Sequence, residues 1–484
     1  MDSELLISCR FQGKILADSN SMIDTRDKWA LADVSYEIKP DISFQHVLGF
    51  GYSFEPTSCY NLMRLPPRAR HEVLSLLVDP ARGAGLNLWR LCIGSPDFSY
   101  KFYSYDDLPG GETDEHLDRF SIDEDRRYVI PVVKEALAIN PGIQLFASPW
   151  SPPAWMKIPE PHWRKGTLEE RIGGNGMCSG RLDPRWYDAY ATYFVKYLQA
   201  YKAEGIDIKA VTVQNEPHHN WVLMPTCWWD GENERDFIRD HLGPKIQQSG
   251  LATEIWCWDH NWGQIHPARY PVTVLSDPGA AQYVSSIAFH HYDMVHVSNM
   301  GKFHSMFPGK HVQFTEGSLL WLWGAARLAA YLRNWSQSYV GWVPFIDTNG
   351  DPNIGPFKTK RTMLQPVVPG AEPVIKEAIP APHQYPVDPA LLDGGPFKAI
   401  LARYDYYLLA HYSKFIRRGA LRIKSTRKMP LLGGEVSFKN PDGSIVSVIT
   451  NRRRVPMRVH VALHGRHYRF QLPARSIATL HLSP

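Results

Sequence analysis

The chain has 484 residues, with 53 Lys+Arg against 49 Asp+Glu and a net charge of +4. That balance, evenly spread, excludes nucleic acid as the partner, and no run of about 18 apolar residues offers a membrane span. The length leaves room for several domains or for one large barrel with an accessory domain. The odd feature is aromatic: 16 Trp and 23 Tyr.

Residues 1–45 hold two strand-like pieces, ELLISCRF and LADVSYEI. The start, MDSELLISCRFQGK, shows no basic region followed by an apolar stretch and a small-residue cleavage site, so a cytoplasmic location is expected unless a leader has been removed. Apolar runs then recur at 46–54, 86–94, 143–150, 210–217, 254–262, 285–293, 311–318 and 339–347. Most are nearly continuous in apolar residues before a polar or Gly/Pro end, the pattern of strands buried on both faces of a parallel sheet. Helical patterns fill the gaps. Residues 66–79 start with Pro. Residues 121–139 open with Ser121 and Glu124 in capping-box spacing, and Pro131 is expected to bend or interrupt that helix. Residues 184–204 stop at Gly205, and 232–249, 322–337 and 400–416 follow the same logic.

Eight strand runs, nearly all followed by a helix, predict an α/β fold: a (β/α)8 TIM barrel over 46–418. The rival, a doubly wound open sheet, lacks a GxGxxG after the first strand. Residues 419–484 alternate apolar and polar between the turn signals PDGS, HGRH and PARS. They predict a β-sandwich side domain, which the strands of 1–45 complete. The Pro-rich stretch 366–398 reads as a loop insertion that covers the pocket or contacts a second subunit in a homo-oligomer. Six cysteines without CxxC or zinc-like spacing are expected to be buried free thiols.

A barrel builds its site at the C-terminal ends of its strands. Those ends carry Arg90 and Asp97; Trp150; Asn215, Glu216, His218 and His219; Asp259, His260 and Trp262; His290, His291 and Tyr292; Glu316; and Trp342, Phe345 and Asp347. Glu216 ends the fourth run and Glu316 the seventh, so the two carboxylates should face one another across the barrel mouth. Such a pair suits glycoside hydrolysis: one attacks the anomeric carbon, the other protonates the departing oxygen. The negative charge of the nucleophile is expected to keep the acid protonated near neutral pH. The substrate partner is then a carbohydrate, and no cofactor is needed.

The segments GFGYSF, LNLWRLCIGSPDFSYKFYSYDD, ASPWSPPAWMK, TVQNEP, RDFIRDHLGP, FTEG and HYSKFI, in this order along the chain, closely resemble glycoside hydrolase family 30, in the branch containing glucosylceramidase. The resemblance runs from about 45 to 484. It implies a (β/α)8 barrel with a side β-sandwich, retention of anomeric configuration, Glu216 as acid/base and Glu316 as nucleophile. It further implies that Asn215 contacts the sugar 2-hydroxyl and that Arg90, Asp97, Trp150 and Tyr292 line the first sugar subsite. His290, Trp342 and Phe345 complete the expected substrate-binding set. Three places depart from the family pattern: Gly51-Tyr52-Ser53-Phe54-Glu55-Pro56, His290-His291-Tyr292, and Val343-Pro344-Phe345-Ile346-Asp347. All three border the expected sugar pocket. β-Glucosides and β-xylosides are the first candidates; β-1,6-glucan, galactan and xylan are the alternatives.

His218, His219, His260, His290 and His291 also invite a metal-dependent barrel hydrolase. That reading wants a His-x-His at the end of strand one, where this chain has Gly51-Tyr52-Ser53, so no metal is expected. A sugar-binding protein without catalysis is disfavoured by the presence of both carboxylates. Ten tryptophans (150, 155, 221, 228, 229, 258, 262, 321, 323 and 342) fall near strand ends and are expected to form a sugar-stacking surface, while Trp89, Trp186, Trp256 and Trp335 serve packing.

Overall fold

The computed structural model describes residues 2–9, 12–24, 32–158, 176–262, 269–292, 296–318, 321–359, 362–373, 379–427 and 434–484. Each apolar run of the barrel segment forms a strand: β1 (Gly49–Gly51), β2 (Leu88–Ile93), β3 (Gln144–Pro149), β4 (Ala210–Thr212), β5 (Glu254–Asn261), β6 (Val284–His290), β7 (His311–Glu316) and β8 (Ser338–Val340). Strands β2 to β7 pair in parallel as one sheet. β8 pairs in parallel with β1, and parallel bridges Ser53–Arg90 and Val312–Ser336 join this pair to both edges of the sheet. The ring thereby closes. Closure needs a glycine at β1, since a Cβ on Gly51 would lie 1.6 Å from the Leu88 carbonyl oxygen. Inside, Leu88, Phe146, Ala210, Trp256, Ala288 and Val340 form one buried layer, with the Phe146 and Trp256 rings 5.0 Å apart. The lumen is packed, so a ligand has access only above it.

The helices follow the sequence pattern with instructive exceptions. The 121–139 segment is two helices, Asp123–Arg127 and Val129–Ile139, broken at Tyr128. Pro131 cannot donate to the Arg127 carbonyl and its ring crowds that group, which puts the break three residues upstream of the proline. The capping box does not form. Ser121 Oγ accepts from the Asp123 amide instead, and Glu124 takes Tyr100 and Lys101. In the 232–249 segment, Pro244 removes the donor to the Asp240 carbonyl, and a π turn at Ile238–Leu242 absorbs the defect. Helix Tyr187–Ala203 ends as expected before Gly205, at φ 79°. The 400–416 segment is helical only over Tyr404–Ser413; Ala399–Ala402 pairs antiparallel with Leu364–Val367.

The side domain is a nine-stranded sheet. Ser3–Cys9, Lys14–Asp18 and Val34–His46 join six strands from Leu421–Arg427 to Ser476–Leu482. Its core is alternating, as in Met457, Val459, Val461 and Leu463. His464 and Gly465, both at positive φ, turn the hairpin between Met457–Leu463 and Arg466–Leu472, the signature of a tight two-residue loop. All six cysteines are free and buried. No helix among the described residues is long and apolar enough to cross a membrane.

Candidate active site

A cavity of about 480 Å³ opens at the C-terminal ends of the barrel strands. Glu216 and Glu316 both line it, together with Asp97, Trp150, Asn215, Tyr292 and Trp342. Glu316 is the last residue of β7. Glu216 lies four residues beyond β4, at φ 49°, and its amide donates to the Asp259 carbonyl at 3.0 Å. Asp259 is itself at φ 54°. Left-handed backbone costs a non-glycine residue of order 1–3 kcal/mol, and such strain concentrates where a side chain must be aimed.

The two carboxylates sit in different charge settings. Glu316 is ion-paired with Arg90 through Oε2, and Tyr292 donates its hydroxyl to Oε1 at 2.6 Å. Burial and the facing Glu316 push the Tyr292 phenol up, so it stays a donor. Glu216 Oε1 lies 3.0 Å from His290 Nδ1 and 3.4 Å from His260 Nδ1; its Oε2 lies 3.8 Å from His219 Nδ1.

Beneath both lies a buried scaffold. Arg90 Nη2 meets Asp259 Oδ2 at 2.7 Å and donates to Asn215 Oδ1 at 2.8 Å. Asp259 also accepts from Ser148 at 2.9 Å, Thr212 at 2.8 Å and Thr315 at 2.6 Å. His290 Nε2 faces Asp259 Oδ1 at 3.1 Å. Arg90 and Asp259 have no exposed side-chain surface. The ensemble is thus fully satisfied, as a buried polar network must be.

Electrostatics follow from this wiring. Burial raises the Asp259 carboxyl, but Arg90, His290 and the hydroxyl donors outweigh it and hold the group far below the usual range. Burial opposes charge on His290, yet Glu316 and Asp259 lift it to about 9. Burial likewise raises Glu216, but His260 and His290 outweigh it, leaving the carboxyl well below its ordinary value. The expectation that the nucleophile's charge keeps Glu216 protonated is therefore corrected for the ligand-free protein. Arg90 neutralises Glu316, and the proton is held by the histidine side. Asp97 is the carboxyl that goes up, through burial and the facing Glu316.

Residues 47–328 match the glycosyl hydrolase family 30 TIM-barrel domain, and residues 419–480 match the family 30 beta sandwich domain. The chain belongs to glycosyl hydrolase family 30. An endo-1,6-beta-D-glucanase of Neurospora crassa is 32% identical over 421 residues, 84% of this chain and 79% of that one. The lysosomal acid glucosylceramidase of Mus musculus is 30% identical over 426 residues, 86% of this chain and 76% of that one. Among solved structures, the endo-beta1,6-glucanase BT3312 superposes with a TM-score of 0.81 at 27% identity, over 100% of both chains. As a family 30 member the chain is an O-glycosyl hydrolase with a TIM barrel and a β-sandwich.

Not every predicted residue reaches the family 30 cavity. Asp97, Trp150, Asn215, Tyr292 and Trp342 line it; Arg90 and His290 do not, and each contacts one of the two glutamates, Arg90 on Glu316 and His290 on Glu216. Phe345 does not line it. Its ring is buried in the main core, and its amide donates to Ser58 Oγ. β8 ends at Val340, so the chain has already turned back over the first helix, Pro56–Met63, when it reaches 345. The tryptophan surface shrinks to the stacked pair Trp150 and Trp342, ring centroids 4.9 Å apart, above the Arg90 guanidinium. Three others pack inward, Trp229 on Tyr187, Trp258 on Tyr270 and Trp262 on Tyr331, and Trp321 is exposed away from the cavity lining. His291 is turned away, its Nδ1 2.6 Å from the Tyr331 hydroxyl, and burial keeps it neutral, near 3. His218 stacks on Trp228. No described residue of 366–398 lines the cavity; Phe357, Thr359 and Thr362 do. His260, one of the strand-end residues, also lines it, and so does Tyr52, which lay outside the expected substrate-binding set. Tyr52 occupies one of the departures from the family pattern, the signal by which it could have been found.

Proposed function

We propose that the protein is a retaining β-glycosidase in which Glu316 attacks the anomeric carbon and Glu216 serves as acid and then base. The observation that carries this reading is the unequal setting of two carboxylates on one cavity. Glu316 is paired with the Arg90 guanidinium and oriented by the Tyr292 hydroxyl, as a nucleophile requires. Glu216 faces histidines that can exchange a proton with it. Glu316 forms the glycosyl-enzyme as Glu216 protonates the leaving oxygen; Glu216 then deprotonates the water that releases the sugar. Trp150 and Trp342 offer an apolar wall to the sugar ring, and Asn215, fixed by Arg90, faces the nucleophile side of the cavity.

The substrate proposed is a β-glucosyl bond. The relatives, endo-1,6-beta-D-glucanases and glucosylceramidases, share a glucosyl group in their names, and the glucanases specify the beta bond. The reading as a β-1,6-glucanase is favoured over a simple β-glucosidase by Phe357, which lines the rim of the cavity at 40% exposure and leans on Trp221, ring centroids 5.4 Å apart. That pair extends an aromatic wall beyond the two carboxylates, where a further glucosyl residue can stack. Proton NMR of the first-formed sugar tests the mechanism: a β-anomer supports double displacement, and an α-anomer contradicts it. Product lengths from β-1,6-gluco-oligosaccharides, set beside turnover of glucosylceramide in micelles, test the substrate.

A further inference from the structure

We propose that Glu216, His260 and His290 form a site for one divalent transition-metal ion of the zinc class, and that its occupation turns hydrolysis off. The three residues each present one ligand atom, and these atoms all lie within 4.8 Å of one another. Glu216 Oε1 is 3.0 Å from His290 Nδ1 and 3.4 Å from His260 Nδ1. Tetrahedral zinc with bonds of about 2.0–2.1 Å holds its ligands about 3.3 Å apart, so small adjustments suffice.

Two further observations point to a ligand. His260 is 1% exposed and lines the cavity, yet neither of its ring nitrogens makes an aligned hydrogen bond. A buried imidazole in that state is costly, and a metal bond at Nδ1 relieves it. His290 is already oriented as a metal ligand, with its other nitrogen on the Asp259 carboxylate at 3.1 Å. A carboxylate behind a histidine fixes its ring and raises its basicity toward metal. With Glu216 and His260 on the cavity wall and His290 behind them, the fourth position opens to the cavity, as in an accessible rather than a closed zinc site.

The ion engages the carboxylate proposed to move the proton, so inhibition rests on the role given to Glu216; the binding does not. Zinc is therefore an inhibitor here, and hydrolysis itself needs no metal. The nearest competing donor pair is His460 and His467 in the side domain, Nε2 to Nδ1 2.9 Å. Three ligands including a carboxylate, Glu216, His260 and His290, should fill before this pair of imidazoles.

The test is a cobalt(II) chloride titration of the full-length protein after chelator treatment, read by visible absorption, with zinc chloride displacing the cobalt. One equivalent should give the intense tetrahedral cobalt band. His260→Gln and Glu216→Gln should each weaken uptake more than about tenfold, with circular dichroism and melting temperature checking that the metal-free variants fold. His467→Gln should leave the first equivalent unchanged. Hydrolysis by the chelated protein is assayed in parallel: activity there with no cobalt band overturns the metal site and leaves the glycosidase reading standing. Tetrahedral binding unchanged in both His260→Gln and Glu216→Gln also overturns it.

Discussion

Arg90 and Asp259 form an ion pair 2.7 Å long in which neither side chain has any exposed surface. The pair ties β2 to β5 across the barrel mouth, and the same guanidinium continues to Glu316 at the end of β7. Arg90→Met would leave two buried carboxylates without their cation. A loss of about 3–5 kcal/mol in unfolding free energy is expected, together with loss of activity. Chemical denaturation measures the first; a variant as stable as the parent would show that the pair does not hold the mouth together.

His290 connects stability and activity to pH. Its folded value of about 9 lies above the value of about 6.5 for an unfolded histidine. A raised histidine stabilises fully below the unfolded value, and that contribution fades as pH rises through the folded one. The protein should therefore lose stability between about pH 6.5 and 9, and kcat/KM should fall on the same limb as the proton shared with Glu216 leaves. The limb belongs to the pair rather than to either residue. In His290→Asn that stability slope should vanish; an unchanged slope would assign it to other groups.

Much of this was legible in the sequence because buried parallel strands write themselves as apolar runs, and all eight appear where the runs are. Glu216 and Glu316 were legible because they end two such runs. What the sequence could not carry were features made by contact. The break at Tyr128 is set by a proline three residues on. Ala399–Ala402 becomes a strand only because Leu364–Val367 lies beside it. Of the tryptophans near strand ends only Trp150 and Trp342 line the cavity, since nothing in local spacing says which way a loop indole points. The low-lying carboxyl of Glu216 was not legible for the same reason. Arg90 and His290 come from β2 and β6, and only the closed ring brings them to the two glutamates.

Phe357 separates polymer from simple glucoside. Aromatic stacking contributes about 0.5–1.5 kcal/mol, so Phe357→Ala should lower kcat/KM on β-1,6-gluco-oligosaccharides by roughly 2- to 12-fold. Turnover of an aryl β-glucoside, whose single sugar is proposed to lie at Trp150 and the carboxylates, should change less than twofold. Equal losses on both substrates would remove Phe357 from the leaving-group side of the cavity.

The central claim is that Glu316 forms the covalent glycosyl-enzyme. It is tested most directly by incubating the protein with a fluorosugar β-glucoside that carries a good leaving group, then digesting it and sequencing the labelled peptide by mass spectrometry. The account predicts one sugar per chain, attached to Glu316, with no label in Glu316→Gln. A label on Glu216, or hydrolysis of this reagent with no covalent species and an inverted product, would contradict it.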